Sequence, residues 1–128
     1  MRLARTLRRQ AVPGISPSQL ATLSTVERAG PITVGNLAES EQVRPPTMTK
    51  IVAALVEAGL VSRQPDPLDR RVAWVLCTGE GKKLIRATRR RGDEWLAKRL
   101  KTLPSEELGV LDRASEILDR LQAEAERL

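Results

Sequence analysis

Hydrophobic residues in the middle of the chain recur at steps of three and four, a spacing that is typical of amphipathic helices. The first such helix is short, with Val34, Leu37 and Ala38 on its apolar face and Thr33 suited to be its N-cap. A longer apolar face follows after the connector 41–43, and it is made of Met48, Ile51, Val52, Leu55 and Val56. Two helices joined by a tight link predict a helix-turn-helix.

The second helix is predicted to start at Pro45-Pro46, because missing N–H groups cost little in a first helical turn, and to end at Gly59. Its polar side carries groups that can bond phosphates and base edges, namely Arg44, Thr47, Thr49 and Lys50. An ordinary solvent-exposed face is the alternative interpretation. A helix that faces only solvent usually carries more charge than this one, so the pattern favours a surface that bases approach.

A β-hairpin is predicted directly after this helix. Residues 61–78 read VSRQPDPLDRRVAWVLCT, in which a loop rich in Pro and Asp separates a short apolar-edged segment from the β-rich run VAWVLC. The tip of the loop is Asp69-Arg70-Arg71, and guanidiniums at the tip of such a wing can enter the narrow, negative minor groove of DNA. Arg63 at the base of the wing is expected to steady the loop or to contact phosphate. A solvated turn is the alternative for the two tip arginines.

Helices are also predicted on both sides of this region. Residues 2–11 form a short basic segment, and residues 16–30 begin with a capping box and end at a glycine. A long basic helix is predicted over residues 79–101, followed by a Leu-Pro break and a final helix over residues 105–128. The final helix has a heptad-like apolar seam with no evident partner in the winged region. The seam is Leu111, Ala114, Leu118, Leu121, Ala125 and Leu128.

The composition narrows the functional classes. The 128 residues carry 22 Lys and Arg against 16 Asp and Glu, a net charge of +6 that favours an anionic partner such as nucleic acid. With two Trp and no Phe or Tyr, the core is expected to be aliphatic and base stacking is not expected. The chain has no His and one Cys, so we expect no catalysis, metal or cofactor, and a reducing cytoplasm as its location. No apolar run is long enough to cross a membrane.

The run VRPPTMTKIVAALVEAGLVSRQPDPLDRRVAWVLCTGEGKKL resembles the MarR (multiple antibiotic resistance regulator) family. Its helix-turn-helix, the Leu-Val that starts the first strand, the D-x-x-D-x-R wing and the following Thr-x-x-Gly match that family in order and spacing. The resemblance implies a fold that is mainly α with a small β-wing, a winged helix-turn-helix whose N- and C-terminal helices form a dimerisation region. We therefore expect a single domain over residues 1–128, with the winged helix-turn-helix at 16–78 and dimerisation helices at 1–12 and 79–128.

The same resemblance implies a dimeric transcription regulator, expected to be a repressor, that binds double-stranded DNA at an inverted-repeat operator. The expected DNA-binding residues are Thr33, Arg44, Pro45, Pro46, Thr47, Thr49, Lys50, Arg63, Asp69, Arg70 and Arg71. Of these, Arg71 is the expected minor-groove residue, and Asp69 is expected to orient the loop or that arginine. The expected dimer contacts are Leu111, Leu118, Leu121, Ala125 and Leu128. A small aromatic or anionic effector, bound between the winged domains and the dimer helices, would weaken DNA binding.

Several features have a second interpretation. The chain could instead be a non-specific DNA-architectural or protein-interaction module that uses the same wing. Cys77 is either a peroxide-sensing thiol, as in one branch of the MarR family, or a small core residue, which its place in the second wing strand favours. Trp95 either packs in the core or stacks on an aromatic effector. The Arg89-Arg90-Arg91 run points in three directions around a helix, which favours a solvated face over a phosphate patch.

Overall fold

The structure of the protein is a computed structural model, which describes residues 2, 3, 6, 14–125 and 127. These residues fall into two compact units that divide between Gly92 and Asp93. The basic segment predicted over residues 2–11 lies largely outside the described residues, and Leu128 lies outside them as well. No described helix is both long enough and apolar enough to cross a membrane.

The described chain is mainly helical, with one small antiparallel sheet. In chain order its elements are α1 (Pro17–Ala29), β1 (Ile32–Thr33), α2 (Val34–Ser40), α3 (Pro45–Glu57), β2 (Val61–Pro65), β3 (Ala73–Cys77), α4 (Gly79–Leu100) and α5 (Ser105–Ala125). The strands lie in the order β1-β3-β2, so the hairpin of β2 and β3 forms the wing and β1 pairs with the other edge of β3. The expected winged helix-turn-helix, mainly α with a small β-wing, is confirmed.

Local signals set the ends of the helices. At the start of α1 the hydroxyl of Ser16 accepts from the backbone N–H of Gln19 at 3.1 Å, and the Gln19 side chain accepts from the N–H of Ser16 at 2.9 Å. This pair confirms the predicted capping box. Gly30 and Gly59, which follow α1 and α3, both have a φ of 73°. A residue with a Cβ rarely adopts that conformation, so glycine is suited to end both helices.

The link between α2 and α3 is held from both sides. The N–H of Val43 donates to the carbonyl oxygen of Ala38 at 3.0 Å and closes the turn. Gln42, within the turn, has a left-handed φ of 54°. The hydroxyl of the buried Thr25 in α1 donates to the carboxylate of Glu41 and ties the turn to the neighbouring helix. The start of α3 is therefore placed by contacts with α1 and α2 together.

The core of the first unit is aliphatic, as the composition predicts. Its buried apolar residues come from α1 to α4 and from both wing strands, and they are Leu23, Val26, Leu37, Ala38, Met48, Val52, Leu55, Val61, Val75 and Ile85. The buried stripe of α3 is Met48, Val52 and Leu55, at the spacing of one helical face. The prediction that Val56 belongs to this face is wrong, since its side chain is 37% exposed. It lies at the edge of the buried stripe, about 80° around the helix from Met48, and is therefore only partly covered.

Thr78 joins the end of α3 to the start of α4. Its hydroxyl donates to the carbonyl oxygen of Gly59 at 2.7 Å and accepts from the N–H of Gly81 at 3.1 Å. Gly81 is buried, and a Cβ there would overlap the carbonyl oxygen of Leu60 and lie 2.8 Å from the Sγ of Cys77. The Thr-x-x-Gly spacing thus has a physical reason: the threonine caps α4, and the glycine lets α4 approach the backbone that follows α3.

The second unit consists of the end of α4 and the whole of α5. Over Ser105–Ala125 no residue is buried. The exposed large apolar residues of α5 are Val110, Leu111, Ile117, Leu118 and Leu121. In α4, Trp95 is half-buried, and the guanidinium carbon of Arg99 lies 3.6 Å from its ring centroid. Trp95 therefore packs against a cation of its own helix and does not belong to the buried core of the described residues.

The close packing at Gly81 predicts a stability effect. Gly81→Ala should lower the free energy of unfolding by about 1–3 kcal/mol, because the new methyl group would overlap backbone that cannot move freely. Gly79→Ala is the matched control in the same helical turn, since a Cβ there meets no atom within 4 Å. Urea unfolding followed by circular dichroism would measure both variants. Equal stability of the two variants would contradict the close approach of α4 to Leu60.

Candidate nucleic-acid interface

The outer side of α3 carries short polar side chains. Thr47, Thr49 and Lys50 are all exposed on it, as the sequence predicts. The hydroxyl of Thr49 donates to the carbonyl oxygen of Pro45 at 3.0 Å, which orients the hydroxyl and leaves its oxygen able to accept a further bond. Ala53 is also exposed on this side, and it is absent from the predicted set. Its spacing of four from Thr49 is the signal that identifies it, and its methyl group suits contact with a thymine methyl.

The first turn of α3 is open to solvent. Arg44 is the N-cap residue and its side chain makes no capping hydrogen bond, while Pro45 and Pro46 form an exposed apolar start to the helix. Thr33 is placed differently, because it is half-buried and its hydroxyl accepts from the N–H of Asn36 at 3.2 Å. Thr33 therefore caps α2, as its position predicts, and its expected contact with DNA stays a prediction.

The wing is a regular hairpin closed by a short loop. The paired positions run from Val61 opposite Cys77 to Pro65 opposite Ala73. The loop over residues 66–72 is closed by its own backbone, since the N–H of Asp66 donates to the carbonyl oxygen of Val72 at 3.0 Å. The loop carries the predicted tip residues 69–71. The conformation of the loop decides where the guanidiniums of Arg70 and Arg71 lie.

Asp66 organises this loop. Its Oδ1 accepts from the backbone N–H groups of Leu68 and Asp69 at 2.9 and 3.0 Å, and its Oδ2 accepts from the indole N–H of Trp74 at 2.8 Å. The Trp74 bond, followed by the two backbone bonds, lowers the pKa of the Asp66 carboxyl below its usual range. One ionised side chain therefore fastens the loop to β3.

Asp69 orients the side chain of Arg71. Its Oδ1 accepts from the backbone N–H of Arg71 at 3.0 Å, and its two oxygens accept from the Nε and Nη2 groups of the guanidinium at 3.1 Å each. The Arg71 side chain lowers the pKa of the Asp69 carboxyl, and the same bond raises the pKa of Arg71. Even so, the Arg71 side chain is 90% exposed. It is oriented by its neighbour and still available to an anionic partner.

Two further arginines lie on the wing. Arg70 is exposed in the loop, and Arg63 is exposed on β2 opposite Val75. Both positions agree with contacts to phosphate, and the part that each plays stays a prediction.

Asp66 and Trp74 are absent from the predicted set, and the sequence contains a signal for the first of them. An Asp followed by Pro is a common start for a turn, because its side chain can accept from backbone N–H groups two and three residues later. The Trp74 bond has no comparable local signal. It depends on the hairpin register, which brings residues eight apart in the chain into contact.

Other candidate residues have structural roles. Arg89 forms an ion pair with Glu27 of α1 at 3.5 Å. This member of the arginine run therefore links α4 to α1. Cys77 is half-buried against the core, and burial, followed by the charge of Glu27, raises the pKa of its thiol. A raised thiol pKa disfavours the reactive thiolate, which supports the interpretation of Cys77 as a packing residue. In the part of the chain that the structure describes, no group of three His, Cys, Asp or Glu residues could hold a metal ion.

Known proteins share the fold and much of the sequence of this chain. The model of the MarR family matches residues 15–73. An HTH-type transcriptional regulator of Mycobacterium leprae is 43% identical over 119 residues, which cover 92% of this chain and 83% of the relative. A crystal structure of a Pseudomonas aeruginosa PA01 protein, 31% identical, superposes with a TM-score of 0.82 and covers 94% of this chain and 86% of its own. A mutant of S. aureus MepR bound to an oligodeoxyribonucleotide has the same fold, with a TM-score of 0.73, 22% identity, and coverage of 94% of this chain and 90% of its own.

The bonds of Asp66 predict how the order of the wing depends on pH. A carboxyl with a lowered pKa contributes stability that is fully present above its ordinary pKa, about 3.9, and is lost as the pH falls through the lowered value. We expect the indole N–H resonance of Trp74 to be constant from neutral pH to about 4 and to shift only in more acid solution. A ¹H–¹⁵N NMR titration would measure it.

The control for this titration is Asp66→Asn, which should displace the Trp74 resonance at neutral pH and abolish the acid shift. The Trp95 indole serves as the internal reference. A Trp74 resonance with a midpoint well above pH 4, or one that is unchanged in Asp66→Asn, would contradict the assignment of the bond.

Proposed function

Because the chain belongs to the MarR family, whose members are DNA-binding transcription regulators and not enzymes, we propose that it is a sequence-specific repressor that binds an inverted-repeat operator as a homodimer. The observation that carries the proposal is the wing, in which Asp66 fixes the loop and Asp69 orients an exposed Arg71. A loop with this much internal bonding presents a guanidinium in one direction, which a narrow groove requires.

The recognition step follows from the two exposed surfaces. Helix α3 enters the major groove with its N-terminal turns, where Thr47 and Lys50 reach base edges. The Thr49 hydroxyl, which donates to Pro45, accepts there from a base amino group. Pro45 and Pro46 lie against the groove wall, and a thymine methyl is a suitable contact for them. These contacts supply most of the base preference.

The basic residues around the recognition helix supply affinity. Arg71 enters the flanking minor groove, and Arg44, Arg63 and Arg70 neutralise phosphates on either side. Phosphate contacts carry no sequence information, so they set the register of the helix and the salt dependence of binding.

Dimerisation through α5 gives the operator its symmetry. The apolar face of α5 is exposed in the single chain, and its leucines would be buried against the same face of a second copy. Two recognition helices related by the two-fold axis then read half-sites about one helical turn apart, roughly 10 base pairs. A repressor of this kind acts by occupying the operator. A small aromatic or anionic effector that changes the spacing of the two winged domains would release the dimer from the operator.

The central experiment is a selection of bound sequences from random DNA, followed by a gel shift with excess random competitor. We expect a symmetric operator that keeps its band under competition. Thr47→Ala and Lys50→Ala should flatten the selected sequence at the positions that they read, with a loss of about 1–3 kcal/mol on the parent operator for each lost base contact. Lys98→Ala, the same change of charge on an exposed position of α4, is the matched control and should select the parent sequence.

Two outcomes would count against the proposal. A band lost to random competitor would identify a non-specific architectural or protein-interaction module. An unchanged selection by both α3 variants would remove base reading from this helix.

The dimer has its own test. Leu118→Glu combined with Leu121→Glu should yield monomers in light scattering, because each carboxylate would have to be buried unpaired in the seam. Ala123→Glu, on the opposite face of α5, should remain dimeric. The Trp74 indole resonance would show whether the winged unit stays folded. A well-folded dimer of the double variant would exclude this seam as the interface.

A further inference from the structure

Leu68 is the most exposed large apolar side chain of the described residues, with 97% of its surface open to solvent. Single exposed leucines are common and by themselves indicate nothing. Leu68 differs in that its backbone is fixed. Its own N–H and that of the next residue, Asp69, both donate to one oxygen of Asp66.

The same short loop fixes the backbone that carries this apolar side chain and, three residues later, orients a cation. Asp69, the residue after Leu68, accepts two side-chain hydrogen bonds from Arg71. Asp66 thus holds the leucine segment and Asp69 holds the arginine, on a loop of seven residues closed by Asp66 and Val72.

We propose that Leu68 enters the minor groove beside Arg71 and selects A·T base pairs there by excluding the exocyclic amino group of guanine. The inference deepens the proposed function, on which it rests, by assigning a specificity-determining residue to the wing. In the minor groove an A·T pair presents only acceptors, whereas a G·C pair adds the N2 amino donor of guanine. The guanidinium of Arg71 donates to the acceptors that every base pair presents.

Leu68 distinguishes G·C from A·T pairs, which Arg71 does not. Its side chain has no acceptor, and on entering the groove it displaces the water that would otherwise bond the guanine amino group. A donor that is desolvated without a partner costs free energy, so G·C is penalised at that step. Apolar residues of this type are known to occupy minor grooves in other architectures, often between base steps. Arg71 therefore supplies affinity for the minor groove, and Leu68 supplies the preference for A·T pairs by exclusion.

The test uses the full chain and the operator obtained by selection. The A·T pairs in the segment that the wing protects are replaced by G·C, or by inosine·C, which lacks the N2 amino group. For the parent protein we expect G·C to weaken binding about 5- to 100-fold and inosine·C to restore most of the loss. Leu68→Ala should shrink the ratio between inosine·C and G·C affinities, and Leu68→Asn, whose side-chain carbonyl can accept from the amino group, should bring it close to one.

Arg71→Ala is the matched variant on the same loop. It should weaken binding to all three operators and keep the ratio, because the leucine remains. The Trp74 indole resonance verifies that each wing is folded. A parent ratio near one, or a ratio that is the same in Leu68→Ala and Leu68→Asn as in the parent, overturns the inference while the proposed function stands. If the protein binds all sequences with equal affinity and no operator can be selected, the inference and the proposed function are both overturned.

Discussion

The carboxylate of Asp66 is the group on which the shape of the wing depends. One of its oxygens accepts two consecutive backbone N–H groups, and the other accepts the indole N–H of Trp74. Because Trp74 lies on the central strand, the loop tip is attached to the sheet and not only to its own ends. Asp69 and Arg71 then form their bonds on a backbone that is already fixed. The conformational entropy of the tip is therefore lost when the protein folds, and little remains to be lost on binding.

A second set of bonds places the recognition helix. The Thr25–Glu41 bond holds the turn that precedes α3, and the hydroxyl of Thr78 holds the backbone that follows it. Between these points the stripe of Met48, Val52 and Leu55 is buried in the core. Because α3 is bonded at both ends and packed along one side, rotation about its own axis is restricted. Its outer residues therefore keep a constant direction relative to the core. Base readout by short side chains such as threonine needs that constancy, since a short side chain has little reach to correct an error.

Much of this could be predicted from the sequence because the deciding interactions are local. The capping box at Ser16, the proline start of α3 and the glycine after it depend on residues within one or two turns, and their signals are reliable. The wing tip could also be predicted, because Asp69 and Arg71 are two residues apart. Contacts between distant residues could not be predicted. The Asp66–Trp74 bond requires a particular hairpin register, and the Arg89–Glu27 ion pair requires the packing of α4 on α1. The exposure of Val56 depends on where the buried stripe of α3 ends. The spacing of apolar residues alone does not place that edge to within one residue.

The register of the sheet also decides which side chains of β3 are buried. The central strand β3 pairs on one side with β1, where Thr33 lies opposite Trp74 and leads directly into α2, and on the other side with the outer wing strand. A slip of one residue would turn every side chain to the opposite face of the sheet. Such a slip would expose Val75, which is buried, and would move the Trp74 indole away from the Asp66 carboxylate. The pairing of Thr33 with Trp74 joins the start of α2 to the wing, so a one-residue insertion in β3 would disturb the core and the wing loop together.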